Sequence, residues 1–453
     1  MVGVTLRSVC SRKVRAFNLA GLDKPYEAFR RRTRQLRRLL SFNWWPPRNG
    51  GVTAACILQR MPLPIPAIQR ALQEDRLDGW LLYDFQGSNP VAARLTGLAS
   101  SGKMTTRRWY YLVPAHGEPR GLVHAIERHN LDDLPGPKRA YAGRSQLADG
   151  LQELLRGARR IAMEYSPRNA IPYVSRVDAG TVEVVRDLGI EVVSSGDLVQ
   201  RFEAVWSDAA LETHRAASDR LYRIKDRTFE FVRQRRADWG TLTEYDVQQA
   251  MTGWFAEEGL ISDSEPNVSA QENAGNPHYH PSRAVHRAIH ADEILLLDLW
   301  GKLQAPGAVF ADITWVAFTG AAVPQACERA FAAARDGRDA AIELVRTAVR
   351  EGRELRGYEV DRACRSVVER AGYGAQFFHR TGHSLGERVH GDGVHMDDYE
   401  THDDRRLIKG TGFTIEPGVY TPEFGVRTEI NMFIGEREAE VTGPLQTAIV
   451  ALG

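Results

Sequence analysis

Cysteine is scarce: four in 453 residues (Cys10, Cys56, Cys327, Cys364), with no CxxC spacing. That excludes a disulfide framework and a zinc–thiolate site, and it fits a reducing compartment, so a cytoplasmic location is expected. No run of 18 apolar residues occurs, which leaves no candidate membrane-spanning helix and no expectation of a membrane partner. Lysine is also rare, at seven of 59 basic residues, which speaks of genome composition and not of function.

What is present is an ordinary globular composition, 43% apolar and 26% charged, in a chain long enough for two cores. The net charge of +1 hides an asymmetry. Residues 1–60 hold eleven Arg, two Lys, one Asp and one Glu, a balance of +11, so residues 61–453 carry −10. An acidic body has no nucleic-acid footprint, and no nucleic-acid partner is expected.

The basic segment 1–60 does not read as a folded domain. Arg30-Arg31-Arg32-Thr33-Arg34 has few apolar neighbours, and Trp44-Trp45-Pro46-Pro47 breaks any helix. Three readings stay open: an over-extended translation start with the protein beginning at Met61, a disordered basic tail, or an Arg-rich transit peptide.

From Met61 the pattern is regular. A helix is predicted over Ile65–Asp75, and strands over Trp80–Tyr83, Trp109–Val113, Gly121–His124, Arg160–Met163 and Ile190–Val193. Helices fit Ser145–Gly157 and Gly180–Leu188, giving an α/β domain over 61–205 with no catalytic cluster of its own. A second domain, 206–453, opens with a helix from Asp208 to about Arg236. Thr243-x-x-Asp246 resembles a capping box for another helix, Thr243–Glu258, and further helices fit Pro324–Glu351 and Val360–Ala371.

The chemistry lies on four strand-like segments: Ile294–Gly301, Phe310–Phe318, Thr411–Tyr420 and Phe424–Ile434. Each holds one carboxylate among apolar residues: Asp298, Asp312, Glu416 and Glu429. A buried carboxylate is costly unless paired, hydrogen-bonded or bound to metal. One would be an ordinary salt-bridged acid; four, with the Gly-flanked His383 in Thr381-Gly-His-Ser-Leu-Gly386, call for a shared explanation. Period-two alternation places Thr314 beside Asp312, Thr414 beside Glu416 and Arg427 beside Glu429, where they can orient the acids. Oxygen donors with one imidazole suit Mn, Co or Zn, and four carboxylates with one His can bridge two cations.

The ordered set Leu-Asp298-Leu-Trp-Gly301, Asp312-Ile-Thr314, Gly382-His-Ser-Leu-Gly386, Ile415-Glu-Pro-Gly418 and Arg427-Thr-Glu429 resembles the pita-bread metallopeptidases, and most closely their Xaa-Pro aminopeptidase and Xaa-Pro dipeptidase (prolidase) branch. The resemblance covers roughly 205–453, and the preceding α/β domain looks like the creatinase-type N-terminal domain. It implies an α+β catalytic domain with a pseudo-two-fold curved antiparallel sheet, helices packed outside, and two divalent metal ions, with Mn first. It also implies that Asp298, Asp312, His383, Glu416 and Glu429 are the metal ligands, Asp312 and Glu429 bridging and Glu416 shuttling a proton. His278 and His390 match histidines that contact the scissile region, and His379, Tyr420 and Arg427 match substrate-pocket positions. The other histidines named, His280, His286, His290 and His395, match no family position and are expected at the surface or in loops.

Three departures stand out. Asp298 and Asp312 are fourteen apart, about three more than is usual, which predicts a longer hairpin around Gln304-Ala-Pro-Gly307 with the register kept. Trp315 replaces the usual Arg, removing a buried charge, and Gly391 replaces the acid usual after His390. The expected substrate is a peptide with Pro at its second position, and the resemblance makes a homodimer plausible. Two alternatives stay open: a catalytically inactive pita-bread binding protein, which the complete ligand set opposes, and a non-proline aminopeptidase of the same fold, which His379 and the extra N-terminal domain oppose.

Overall fold

Strand β1 (Gly79–Asp84) is buried along its whole length because both faces of its sheet are covered. Alternation sends Trp80 and Leu82 into one core, with Trp109 and Tyr111, and Leu81 and Tyr83 into the other, with Tyr110 and Leu112. The computed structural model describes residues 63–453, so the readings of segment 1–60 lie outside the described residues.

The other strands of this sheet are β2 (Trp109–Pro114), β3 (Arg120–His124), β4 (Lys138–Tyr141), β5 (Arg160–Met163) and β6 (Glu191–Ser194), in the order β4-β3-β2-β1-β5-β6. It is mixed: β1 runs antiparallel to β2 and parallel to β5. Helix Ile65–Glu74 covers one face; Arg144–Leu154 and Ala179–Asp187 contribute to the core of the other. The sequence pattern missed β4, whose exposed Arg139 and Ala140 carry no apolar alternation, and the helix Pro90–Leu95, capped by the Asn89 side chain.

The C-terminal half opens with helix Asp208–Gln234, capped by Ser207. The Thr243–Asp246 capping box forms as expected, each side chain bonding the other's backbone N–H at 3.1 and 3.0 Å. Strands β7 (Leu260–Ile261), β8 (Asn267–Ala270), β9 (Ile294–Leu303), β10 (Ala311–Phe318) and β17 (Val450–Ala451) make one sheet. Strands β11 (Ser384–Leu385), β12 (Gly412–Ile415), β15 (Ile430–Ile434) and β16 (Ala439–Val441) make another, and β13 (Gly418–Tyr420) pairs with β14 (Gly425–Arg427). Helices Gln325–Glu351 and Gly357–Arg370 contribute apolar faces to the same core as β12 and β15.

Two strand expectations need correcting. Thr411–Tyr420 and Phe424–Ile434 are not continuous; each breaks next to its carboxylate, at Glu416-Pro417 and Thr428-Glu429. Pro417 lacks the N–H a ladder requires, and Glu429 donates its N–H to the Thr314 carbonyl at 3.2 Å. The hairpin joining β9 and β10 forms, with Asp298 opposite Thr314 and Asp312 opposite Trp300.

The Trp315 departure also resolves differently. Lys225, only 5% exposed, places its Nζ 3.8 Å from the centroid of the Trp315 ring, so a buried cation remains, held by an aromatic face and by Asp226.

His214 is buried between the Phe310 carbonyl (2.8 Å) and the Thr442 hydroxyl (2.7 Å). Burial pushes its pKa down to about 4, against a smaller upward pull from the Phe310 carbonyl. A base whose folded-state pKa is depressed is favourably neutral above its unfolded value of 6.5, and that stability is lost as pH falls through about 4. His214→Gln is therefore expected to remove about 3 kcal/mol of the acid-side decline in unfolding free energy, one proton's share. Urea unfolding at pH 7, 5.5 and 4 checks this; an unchanged slope refutes it.

Candidate metal centre

Asp298 and Asp312 stand on the β9–β10 hairpin, and three further side chains converge on them. His383 precedes β11, Glu416 follows β12, and Glu429 precedes β15. His383 Nε2 lies 3.6 Å from Asp312 Oδ2 and 3.5 Å from Glu416 Oε1. One donor atom each from Asp312, His383 and Glu429 lies within 4.8 Å of the other two. Gly382 is required by close approach: a Cβ there would sit 2.0 Å from the Thr414 carbonyl oxygen.

Thr314 organises the carboxylates. Its hydroxyl donates to Glu429 Oε2 at 2.7 Å, lies 3.2 Å from Asp298 Oδ1, and accepts from Arg427 Nε at 2.8 Å. Arg427 also pairs with Asp298 through its terminal nitrogen. Thr414 lies 3.3 Å from Glu416 Oε1 and accepts the His383 backbone N–H at 2.9 Å.

Electrostatically the cluster is short of positive charge. Burial, then the charges of Asp298 and Glu416, pushes the Asp312 carboxyl well above the usual range. Burial, then Asp312 and Glu416, does the same to Glu429. Burial lowers the His383 pKa and keeps its imidazole neutral, the form that ligates metal. Asp312 Oδ1 is buried with no hydrogen-bond partner. A buried acceptor left bare among like charges fits a divalent cation, and the oxygen and imidazole donors suit a hard or borderline metal.

The cluster opens into a cavity of about 1240 Å³. His278, exposed on its loop, and His390 line it, and the His390 ring meets His383 edge-on at 4.4 Å. His379 lines it too, but both its nitrogens are engaged: Nδ1 with the Arg380 carbonyl (2.7 Å) and Nε2 with the Tyr420 hydroxyl (2.9 Å). Arg427 reaches the same hydroxyl at 3.5 Å. Burial and the Arg427 charge push His379 down to about 3, so it stays neutral; Tyr420, expected in the substrate pocket, braces it and does not itself line the cavity.

Sequence reasoning missed three features here. His395, expected at the surface or in a loop, does lie in a loop but is 1% exposed, and its Nδ1 accepts the Ser384 backbone N–H at 3.1 Å. Tyr173 comes from the N-terminal half, where no catalytic cluster was expected, and lines the cavity beside Arg380. Finally, Gly382-His-Ser-Leu-Gly386 has the spacing of a serine-hydrolase nucleophile elbow. The structure excludes that role: Ser384 is buried on a two-residue strand, and its hydroxyl accepts the Gly393 N–H at 3.0 Å.

Residues 212–436 match the model of metallopeptidase family M24. An Xaa-Pro dipeptidase from Lactobacillus helveticus is 32% identical over 176 residues, 38% of this chain and 43% of that protein. The curated relatives matched are spanned over 39 to 61% of their own length. Among solved structures, dipeptidase PepE from Mycobacterium ulcerans superposes with a TM-score of 0.63 at 22% identity, covering 86% of this chain and 96% of that one. A prolidase from Thermococcus sibiricus gives 0.56 at 18% identity, covering 85% and 98%. The chain therefore carries, over residues 212–436, a domain of metallopeptidase family M24 in the pita-bread fold.

Proposed function

We propose that the protein is a dinuclear metal-dependent peptidase that hydrolyses the Xaa-Pro bond at a free N-terminus. The observation that carries this is the convergence of Asp298, Asp312, His383, Glu416 and Glu429 around the bare Asp312 Oδ1. These five would hold two divalent ions, Mn first, with Asp312 and Glu429 shared between them. Bound there, the ions supply Lewis acidity toward the scissile carbonyl and lower the pKa of water.

The chain's own groups do the rest. Glu416, steadied by Thr414, takes a proton from the attacking water and delivers it to the leaving prolyl nitrogen. His278 and His390, at the cavity wall, donate to the oxygen that gains charge. Arg427 and Thr314 hold Asp298 and Glu429 in place. His379 and Phe378 line the cavity, with Tyr420 bonded to His379, and their rings suit a rigid prolyl ring. In this reading residues 61–205 are the creatinase-like domain, 206–453 the catalytic domain, and the enzyme acts in the cytoplasm. The relatives' names, Xaa-Pro dipeptidase and prolidase, support the substrate class.

The test is a panel of Xaa-Pro dipeptides, Xaa-Pro-Yaa tripeptides and matched Xaa-Ala peptides with Mn, Co and Zn. Cleavage of Xaa-Ala as fast as Xaa-Pro sinks the proline assignment but leaves the hydrolase; no cleavage and no bound metal sink both. His379→Ala is expected to lower kcat/KM for Xaa-Pro roughly 10- to 200-fold with metal content intact. A loss of thermal stability at an unchanged rate per folded molecule would instead make His379 purely structural.

A further inference from the structure

We propose that Glu244 is the positioning residue for His278: its buried carboxylate gathers the loop 270–287 and so fixes the histidine that meets the scissile region. The inference rests on the peptidase reading above and extends it to a residue that does not line the cavity.

Glu244 opens the helix Glu244–Glu257 and is fully buried. A carboxylate taken out of water is costly unless its acceptor sites are filled. No cation pairs with it among the described residues; the Arg287 guanidinium goes to Glu272 and Glu293. Hydrogen bonds from one loop meet the charge instead, beside the favourable dipole of the helix N-terminus. Oε1 accepts the Ala270 N–H at 2.7 Å and the Asn273 amide at 3.0 Å. Oε2 accepts the Arg287 N–H at 2.9 Å and the Tyr279 hydroxyl.

That loop needs holding. From Asn276 to Glu293 it forms no helix or strand, and its His278 stands exposed at the cavity. Ties at 270, 273, 279 and 287 divide it into short spans with few conformations left to each. The tie at Tyr279 bears most directly on His278, its chain neighbour, whose own N–H is held by Asn276 Oδ1 at 3.1 Å. Burial, and then the bond to Glu244, push the Tyr279 pKa up, so its hydroxyl stays a donor. On the far side a Cβ on Gly275 would sit 2.2 Å from the Thr421 carbonyl oxygen, so the start of the loop also abuts the β13–β14 hairpin.

The consequence falls on rate and not on affinity. His278 is assigned to the oxygen that gains charge in the transition state, and a donor misplaced by about 1 Å forfeits much of its effect. An interaction made only there shows in kcat and leaves KM alone.

Kinetics on glycyl-proline with manganese-loaded wild type, Glu244→Gln, Tyr279→Phe and His278→Ala, alone and combined, test the proposal, with hydrogen exchange on the metal-free proteins. Glu244→Gln sets an amide NH2 against the Ala270 or Arg287 N–H, a severe change; Tyr279→Phe removes one tie and leaves the others. Each is expected to lower kcat roughly 10- to 100-fold, with KM and metal content nearly unchanged. In the His278→Ala background neither should lower kcat further, since changes that act through one residue do not add. Amides of residues 271–287 should exchange faster in both variants, and those of β9 should not. Losses that add to that of His278→Ala overturn the proposal, as does a loop that keeps its full protection in the variants. A wild type that cleaves no Xaa-Pro peptide would overturn the peptidase reading, and loop exchange would then decide alone whether Glu244 holds the loop.

Discussion

Asp312→Ala is expected to abolish turnover and to lower bound metal, while making the metal-free protein no less stable. The activity loss follows from position: Asp312 lies against His383, shares its donor cluster with Glu429, and holds the bare acceptor atom. Losing an outer partner of a metal ligand costs roughly 10- to 100-fold, and losing a shared ligand costs more. The stability outcome follows from charge. Asp312 is buried among carboxylates that push its pKa up, so folding without metal opposes its ionisation. Removing it relieves that opposition, by on the order of 1 kcal/mol. Metal analysis, kinetics and urea unfolding with chelator present check the three parts. Full activity with unchanged metal content would remove Asp312 from the site.

Arg427→Met should do the reverse, with a large loss of stability that divalent cation partly restores. The guanidinium is buried, and although burial pulls its pKa down, Asp298 and then Tyr420, Glu429 and Glu416 together outweigh that and keep it protonated. Without it Asp298 loses its ion-pair partner and Thr314 loses a donor. Breaking a buried pair from one side costs about 3–5 kcal/mol. Manganese bound beside Asp298 would supply replacement positive charge, so the deficit should shrink when unfolding is repeated with metal in place of chelator. An equal deficit under both conditions would mean that Arg427 acts by packing alone.

The carboxylates were legible because an ionisable residue inside an apolar strand is expensive, and four such residues in one domain left few explanations. Alternation also placed Thr414 beside Glu416, and that contact forms; it placed Thr314 beside Asp312, whereas the Thr314 hydroxyl bonds Glu429 and lies against Asp298. The strand expectations ran through both breaks, although Pro417-Gly418 directly after Glu416 and the polar Arg427-Thr428 before Glu429 interrupt the apolar pattern there. Tyr173 carries no periodic signal: it enters the cavity from a single 3-10 turn, Pro172–Val174. His395 does stand in a loop, as its glycine- and aspartate-rich stretch suggests, and only its burial behind Ser384 was illegible, because the fold alone creates it. The Lys225–Trp315 contact was illegible because its partners are 90 residues apart and neither is unusual in its own segment.

The broken strands have a mechanical consequence. One hairpin, β9–β10, carries Asp298 and Asp312, while His383, Glu416 and Glu429 come from a region 71 or more residues further along the chain. Around Asp312 and Glu429 the stitches between the two halves include Glu429 N–H to the Thr314 carbonyl, the Asp312 N–H to Asn431 Oδ1 at 3.0 Å, the Thr314 hydroxyl to Glu429, and Arg427 to Thr314 and Asp298. A cation gripped from both sides would act there as a rivet. Stripping it should loosen the seam before anything else, so amide exchange would quicken first at Asp312 and Glu429, while β1, sealed between two apolar layers, keeps its protons.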